Sequence, residues 1–483
     1  MQEESVRSDT ELLPLAPSQE AIWEFIHYFS PDDPGAERFN VCDFRLLKGQ
    51  VHLESLYDAI DDVTGRHDAL RIECAELGRD PLLRIRHDVR PVVSFVDLSD
   101  LSEEKQLGPV ARLIRESSAQ VFDFGKAPLW SVRLVRLAPE RHLVVAGFSH
   151  LVCDGRSLSV FFSDLMRSYS IRRGDLSQTA RTGPATPEVS TAVTFRELAE
   201  LQRIAQDSTT GDRRTADLGL ARPGILFPTR AQRGERSGAD MVAETSYAFS
   251  FEDGISTGVR RLAWQLRTTP FVVLLAAYQV CLRLRTGLDG LRIGTVTLAR
   301  GKMDGAAQSM GQFTTNVYLL SAARADVPLR DVVTETHARL KRETARGWSF
   351  KRIARAVHPD FEKERPWPFL HLFDSWFQAD PPRFQEDDRV GDLSISRPDM
   401  FCPTGVTANG PLMPPAGDLE LWMKRGAPSI SVNRARTGGT VTYNPCFFEA
   451  DVAAGLARDY LQTVGHIVER PDLPVGRIQL HQN

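Results

Sequence analysis

What is scarce in this chain narrows its chemistry before any motif is read. Only six cysteines occur in 483 residues, and Cys42, Cys74, Cys153, Cys281, Cys402 and Cys446 are far apart, with no Cys-x-x-Cys pair and no histidine at ligand spacing. This argues against a disulfide framework and against a metal site, and predicts reduced, mostly buried thiols. Long apolar runs are missing too: the longest, Phe271 to Leu282, is interrupted by Tyr278 and Gln279, is too short to span a bilayer and reads as a buried core helix. No sign of charge dominates, since 59 Lys and Arg face 63 Asp and Glu for a net charge of -4. Neither nucleic acid nor an anionic membrane is therefore an expected partner. The opening Met1-Gln2-Glu3-Glu4-Ser5 lacks the basic and apolar regions of a secretory signal, which sets the expectation of a cytoplasmic protein. What remains is an ordinary globular composition, 42% hydrophobic and 25% charged, with chain enough for two sizeable cores.

The patterning divides the chain in two. Within residues 1–175 helices and strands alternate: Leu53, Leu56, Ile60 and Val63 mark a helix face, while Leu83-Arg84-Ile85 and Leu129 to Val135 read as strands. Residues 176–240 read as a connector, rich first in Gly, Pro, Ser and Thr and later in arginine, with one helix started by a capping box of Thr194 and Glu197. Residues 241–483 make the second half. There Tyr247, Phe249 and Phe251 alternate on a strand, and Thr269 as N-cap, Pro270 at the first helical position and Gly287 as stop signal bound a helix. Ser429 to Val432 and Thr440 to Tyr443 resemble a hairpin turned by Gly438-Gly439, followed by a helix carrying Val452, Leu456, Leu461, Val464 and Ile467. The fold class is α/β, or α+β.

The most informative stretch is Phe148-Ser149-His150-Leu151-Val152-Cys153-Asp154-Gly155. The apolar run Leu143 to Phe148 predicts a strand buried on both faces. Leu158, Phe161, Phe162, Leu165, Met166 and Tyr169 recur at helical spacing behind it. His150 thus sits at a strand exit between rigid elements. A histidine beside a buried carboxylate suits general base chemistry, and Asp154 is placed to turn inward and lock the loop through a cation. Gly155 is expected to supply a backbone geometry that other residues resist. Cys153 reads as a small apolar filler, since nothing supplies the orienting group that a Cys/His nucleophile needs.

These residues resemble the His-His-x-x-x-Asp-Gly signature of nonribosomal peptide synthetase condensation domains, in the chloramphenicol acetyltransferase-like superfamily, with Ser149 in place of the first histidine. Other segments agree in the family's order: Leu15 to Trp23 resembles the opening motif, Arg66 to Arg71 the second, Phe195 to Leu201 loosely the fourth, and Met310 to Asn316 the fifth. Gly294 to Arg300 is similar to the strand and loop before the fifth motif, and Val441 to Pro445 to the closing strand. The sixth motif, near Gly347 to Lys351, is poorly matched, and the seventh, around Pro366 to Phe373, barely so.

The resemblance implies two acetyltransferase-like lobes packed as a V-shaped pseudo-dimer, with His150 midway along a tunnel. It implies transfer of an acyl or aminoacyl group from a phosphopantetheine thioester on an acyl or peptidyl carrier protein to an amine or alcohol. The acceptor would be a small molecule or a second carrier-bound substrate, and the product an amide or ester in natural-product biosynthesis. No bound cofactor is implied and a monomer is expected. His150 is the expected catalytic residue; Asp154 and Gly155 are structural, with Arg71 the first choice of partner for Asp154 and Arg66 the second. Ser149, Asn316 and Arg300 are expected on the substrate side. A basic stretch, Arg339, Lys341, Arg342, Arg346, Lys351, Arg352 and Arg355, is either a solvated helix face or a site for carrier acids or pantetheine phosphate. No adenylation or carrier segment follows, which sets the expectation of a stand-alone enzyme. Two alternatives stay open: a coenzyme A thioester as donor, or a non-catalytic recruitment module on the same fold.

Overall fold

The computed structural model describes residues 12–28, 40–78, 80–174, 193–207, 245–298, 300, 305–346, 373–379, 388–398, 428–433 and 436–480. Cys402, most of the connector, the sixth motif and nearly all of the seventh lie outside them, as do Lys351, Arg352 and Arg355. The chain forms two compact units. One comprises Met1–Arg203, Arg300–Thr314 and Pro381–Pro414, the other Ile204–Ala299, Thr315–Asp380 and Pro415–Asn483. This corrects the contiguous second lobe expected over residues 241–483. Two of its segments pack with the first unit because one carries the cation for a buried carboxylate there and the other adds strands to its sheet.

In the first unit β1 (Leu12–Pro14), α1 (Pro17–Tyr28), β2 (Asn40–Lys48), α2 (Leu53–Arg66), β3 (Ile72–Glu76), β4 (Leu82–Ile85) and β5 (Val92–Asp97) come first. They are followed by α3 (Glu103–Ser118), β6 (Trp130–Ala138), β7 (Arg141–Ser149), α4 (Gly155–Arg173) and α5 (Phe195–Asp207). A small antiparallel sheet has the order β1-β4-β3. In the main sheet β7 is antiparallel to both β2 and β6, so it runs through the middle, and β5 lies parallel to β6 at one edge. That central place explains its unbroken apolar run: Leu143, Val144, Val145, Ala146 and Phe148 are all fully buried.

Both faces of β7 are covered. Phe44, Leu143 and Val145 pack with Val110 and Ile114 of α3. The helix comes so close that a Cβ at Gly147 would meet the Ser117 carbonyl oxygen at 2.6 Å, so the strand needs glycine there. Elsewhere in this unit the Trp130, Phe148 and Phe161 rings lie with centroids 5.1 to 5.7 Å apart, and α4 is fastened to the sheet by them.

The second unit has β8 (Thr245–Ser250), α6 (Ile255–Gln265), α7 (Pro270–Thr286), β9 (Arg292–Leu298), β10 (Thr314–Leu320) from Thr315 onward, α8 (Leu329–Arg346) and β11 (Ser375–Ala379). The chain then returns to the first unit as β12 (Asp388–Val390) and β13 (Leu393–Ser396), with β13 antiparallel to β2. It finishes with β14 (Ser429–Val432), β15 (Gly438–Tyr443) and α9 (Ala450–Glu469). The sheet order is β10-β9-β11-β14-β15-β8. Helix α7 is the expected core helix: Thr269 caps it, Gly287 ends it in the left-handed conformation, and Val273 to Leu282 are buried. Gly438 and Gly439 do not turn the hairpin as expected. They lie inside β15, where side chains would collide with the carbonyls of Phe249 and Ser431. Among the described residues no helix is long and apolar enough to cross a membrane.

Candidate functional site

The loop after β7 is built peptide by peptide. Ser149 N–H donates to the Leu129 carbonyl, which fastens the strand end. The Ser149 hydroxyl oxygen then accepts the Leu151 N–H at 3.3 Å and its carbonyl accepts the Val152 N–H at 3.1 Å. Leu151, Val152 and Cys153 are fully buried, so this is a packed turn rather than a surface loop. Ser149, itself 1% exposed, serves the turn, which corrects its expected place on the substrate side.

His150 is partly buried, and its Nδ1 lies 2.8 Å from the Cys153 carbonyl oxygen. A carbonyl can only accept, so Nδ1 carries the proton and Nε2 presents a lone pair. Burial pulls the imidazole below its ordinary value of 6.5; the Asp154 charge and the loop hydrogen bonds pull upward without cancelling that. The ring is therefore neutral at pH 7. Among the described residues Nε2 makes no hydrogen bond to protein. An Nδ1–H tautomer held by its own loop, with Nε2 unspent, is a positioned base.

Asp154 is the N-cap of α4 and has no exposed surface. Its Oδ1 accepts from the Ser157 N–H and hydroxyl, both at 2.9 Å, and from Arg300 at 2.7 Å. Its Oδ2 accepts from Arg300 at 2.8 Å, from the Phe313 N–H at 3.1 Å and from the Thr314 hydroxyl at 3.2 Å. Burial alone would raise the carboxyl, but the Arg300 charge and these donors outweigh it and hold the group at about 2. The cation under the loop is thus Arg300, not Arg71 or Arg66. Arg71 donates to Asp68 and to the Arg86 carbonyl, and Arg66 reaches Asp164 on α4. Arg300 is correspondingly moved off the substrate side: it is 4% exposed, donates also to Ser157, and lies over the Phe313 ring.

The structure adjusts the remaining expectations. Gly155 is the first residue of α4 and is not among the glycines with positive φ. No unusual conformation is needed there. The special glycine is Gly311, at φ 150, where a side chain would strike Phe313 and Phe195 and where N–H and carbonyl both bond the Ser157 hydroxyl. Asn316 sits on β10 in the second unit. The Cys153 thiol is pushed well above its ordinary range, chiefly by burial and then by the Asp154 charge, so it stays protonated as a filler. Arg339 of the basic stretch is held by Glu335 and by the Leu320 and Ser321 carbonyls, and Arg342 pairs with Glu343. Among the described residues no three His, Cys, Asp or Glu side chains converge as metal ligands.

Sequence reasoning missed Ser157 and Gln19. Ser157 was legible, since an Asp directly before an amphipathic helix is an N-cap signal and the third residue of that helix faces it. Gln19 bonds the loop across 132 positions of sequence, and no local spacing announces such a partner.

A family model described as Condensation domain matches residues 10–389. Gramicidin S synthase 2 of Brevibacillus brevis is 22% identical over 451 residues, covering 92% of this chain and 9% of that protein. Chondramide synthase cmdD of Chondromyces crocatus is 23% identical over 358 residues, covering 72% of this chain and 9% of that protein. The chain therefore spans less than a tenth of these relatives. Among solved structures, SgcC5 of Streptomyces globisporus has a TM-score of 0.67 at 22% identity, covering 96% of this chain and 100% of that one. The first condensation domain of the calcium-dependent antibiotic synthetase, in complex with a substrate analogue, has a TM-score of 0.67 at 15% identity, covering 98% and 100%. The fold is the chloramphenicol acetyltransferase-like fold of condensation domains.

Proposed function

The chain belongs to the condensation domain family, and we propose that it transfers an acyl or aminoacyl group from a carrier-protein phosphopantetheine thioester to an amine, forming an amide in natural-product biosynthesis. The observation that supports this reading is the His150 imidazole, neutral, fixed through Nδ1 and open at Nε2. The thioester is already activated, so most of the barrier can be met by holding donor and acceptor in line. As the amine nitrogen bonds to the thioester carbon, it gains positive charge. Nε2 of His150 takes its proton, the carbon–sulfur bond breaks, and the proton passes to the departing pantetheine thiolate. Asp154 and Arg300 do not touch this chemistry in our reading; they hold the start of α4 and the 310–314 segment against the loop that carries His150.

An assay of one acyl group on its carrier and on coenzyme A, with the same amine, tests the donor. A much higher specificity constant for the carrier-bound thioester supports the proposal. Equal constants would transfer the reading to a coenzyme A-dependent acyltransferase, since the carrier surface would then contribute nothing.

A further inference from the structure

The opening motif, Leu15 to Trp23, has so far no role in the chemistry, yet one of its side chains reaches the catalytic loop. Gln19 is fully buried near the start of α1. Its Oε1 accepts the Ala16 N–H at 2.9 Å, as the third helical residue of a capping box does for the residue before the helix. With the oxygen so committed, the amide has one orientation: its NH2 faces outward from the helix end and donates to the Leu151 carbonyl at 2.7 Å.

That carbonyl is the middle of the turn. The Leu151 N–H is held by the Ser149 hydroxyl, the Val152 N–H by the Ser149 carbonyl, and the Cys153 carbonyl receives the His150 Nδ1–H. Fixing the Leu151–Val152 peptide from α1 fixes the backbone on which, two residues on, the Cys153 carbonyl stands. Without a donor at Leu151 a buried acceptor would be left unsatisfied, which a turn avoids by rotating the peptide. Rotation there moves the Cys153 carbonyl away from Nδ1, and the tautomer of His150 is no longer set.

We infer that Gln19 is a positioning residue for His150, clamping the Leu151 carbonyl so that the loop presents Nε2 as a base. This rests on the reading of His150 as the base, but its primary readout needs no substrate. The variant is Gln19→Met, which keeps the length of the side chain and removes its donor. The control is Gln202→Leu, which removes one of the two acceptors of the neighbouring Ser18 hydroxyl, the Gln312 carbonyl remaining as the other. Nitrogen-15 spectra of histidine-labelled protein at pH 7 are expected to show His150 as the Nδ1–H tautomer in wild type and control, and as a mixture in Gln19→Met. In acyl transfer the same variant is expected to lose about tenfold in kcat with KM unchanged, short of the roughly hundredfold that a misplacement of about 1 Å can cost.

A wild-type tautomer and kcat in Gln19→Met would overturn the inference, and so would equal shifts in variant and control. If Gln19→Met does not fold, the wild-type protein decides: slow exchange of the Gln19 side-chain amide protons supports the clamp and fast exchange overturns it. A shifted tautomer in a protein with no transferase activity would keep the clamp and remove the proposed reaction instead.

Discussion

His67 and His150 stand at comparable places in the first unit, each at the end of a secondary-structure element, and they are used in opposite ways. His67 follows α2, is 4% exposed, and brings Nε2 within 2.8 Å of the Asp164 carboxylate that also receives Arg66. It joins α2 to α4. His150 bonds a carbonyl of its own loop through Nδ1 and spends nothing on Nε2 among the described residues. At His67 the carboxylate takes Nε2 and the imidazole is a joint, whereas at His150 a carbonyl takes Nδ1 and leaves Nε2 available. The Asp154 carboxylate does not bond His150, because it gives both oxygens to Arg300, Ser157, Phe313 and Thr314.

The strongest way to break this contrast is to remove the charge beneath the His150 loop. Asp154→Ala leaves Arg300 buried without its anion, and the loss is expected at roughly 3 to 5 kcal/mol in urea unfolding, with activity lost too. Adding Arg300→Met should restore part of that stability, since neither charge then remains. Strict additivity of the two changes would sever the pair.

Next in size is the separation of the two histidines. His150→Ala is expected to lower kcat about a hundredfold or more with little change in the unfolding midpoint. His67→Ala should do the reverse, costing about 1 to 3 kcal/mol as the Asp164 carboxylate loses a buried partner, with kcat kept. The same pattern in both variants would erase the distinction between joint and base.

The smallest effect is a pH dependence. The Asp154 carboxyl is held at about 2 against an ordinary 3.8, so its folded value is depressed. Its stabilisation is fully present above 3.8 and is lost as pH falls through about 2. Wild type should therefore lose stability over that window more steeply than Asp154→Asn in acid titrations followed by circular dichroism.

Much of this was readable in the sequence where the signal is local. The apolar run before His150, the Thr269, Pro270 and Gly287 signals of α7, and the Thr194 and Glu197 capping box, whose bonds measure 2.7 to 3.2 Å, all depend on neighbours a few residues away. What escaped were the long-range partners. Asp154 is separated from Arg300 by 146 positions, and Arg71 and then Arg66 were the expected partners because they lie in the second motif. Only packing decides among them: Arg71 is drawn to Asp68, three residues before it, and to the Arg86 carbonyl just after β4, before it can reach α4. The Gly438-Gly439 pair misled for a related reason, because glycine marks close strand approach as well as turns.

His150 should rest as a neutral Nδ1–H imidazole with Nε2 available, and a nitrogen-15 titration of that one residue checks this without any substrate. An Nδ1–H tautomer is expected at pH 7, protonating only below the ordinary 6.5. An Nε2–H tautomer, or an imidazolium still present at pH 7, would contradict it.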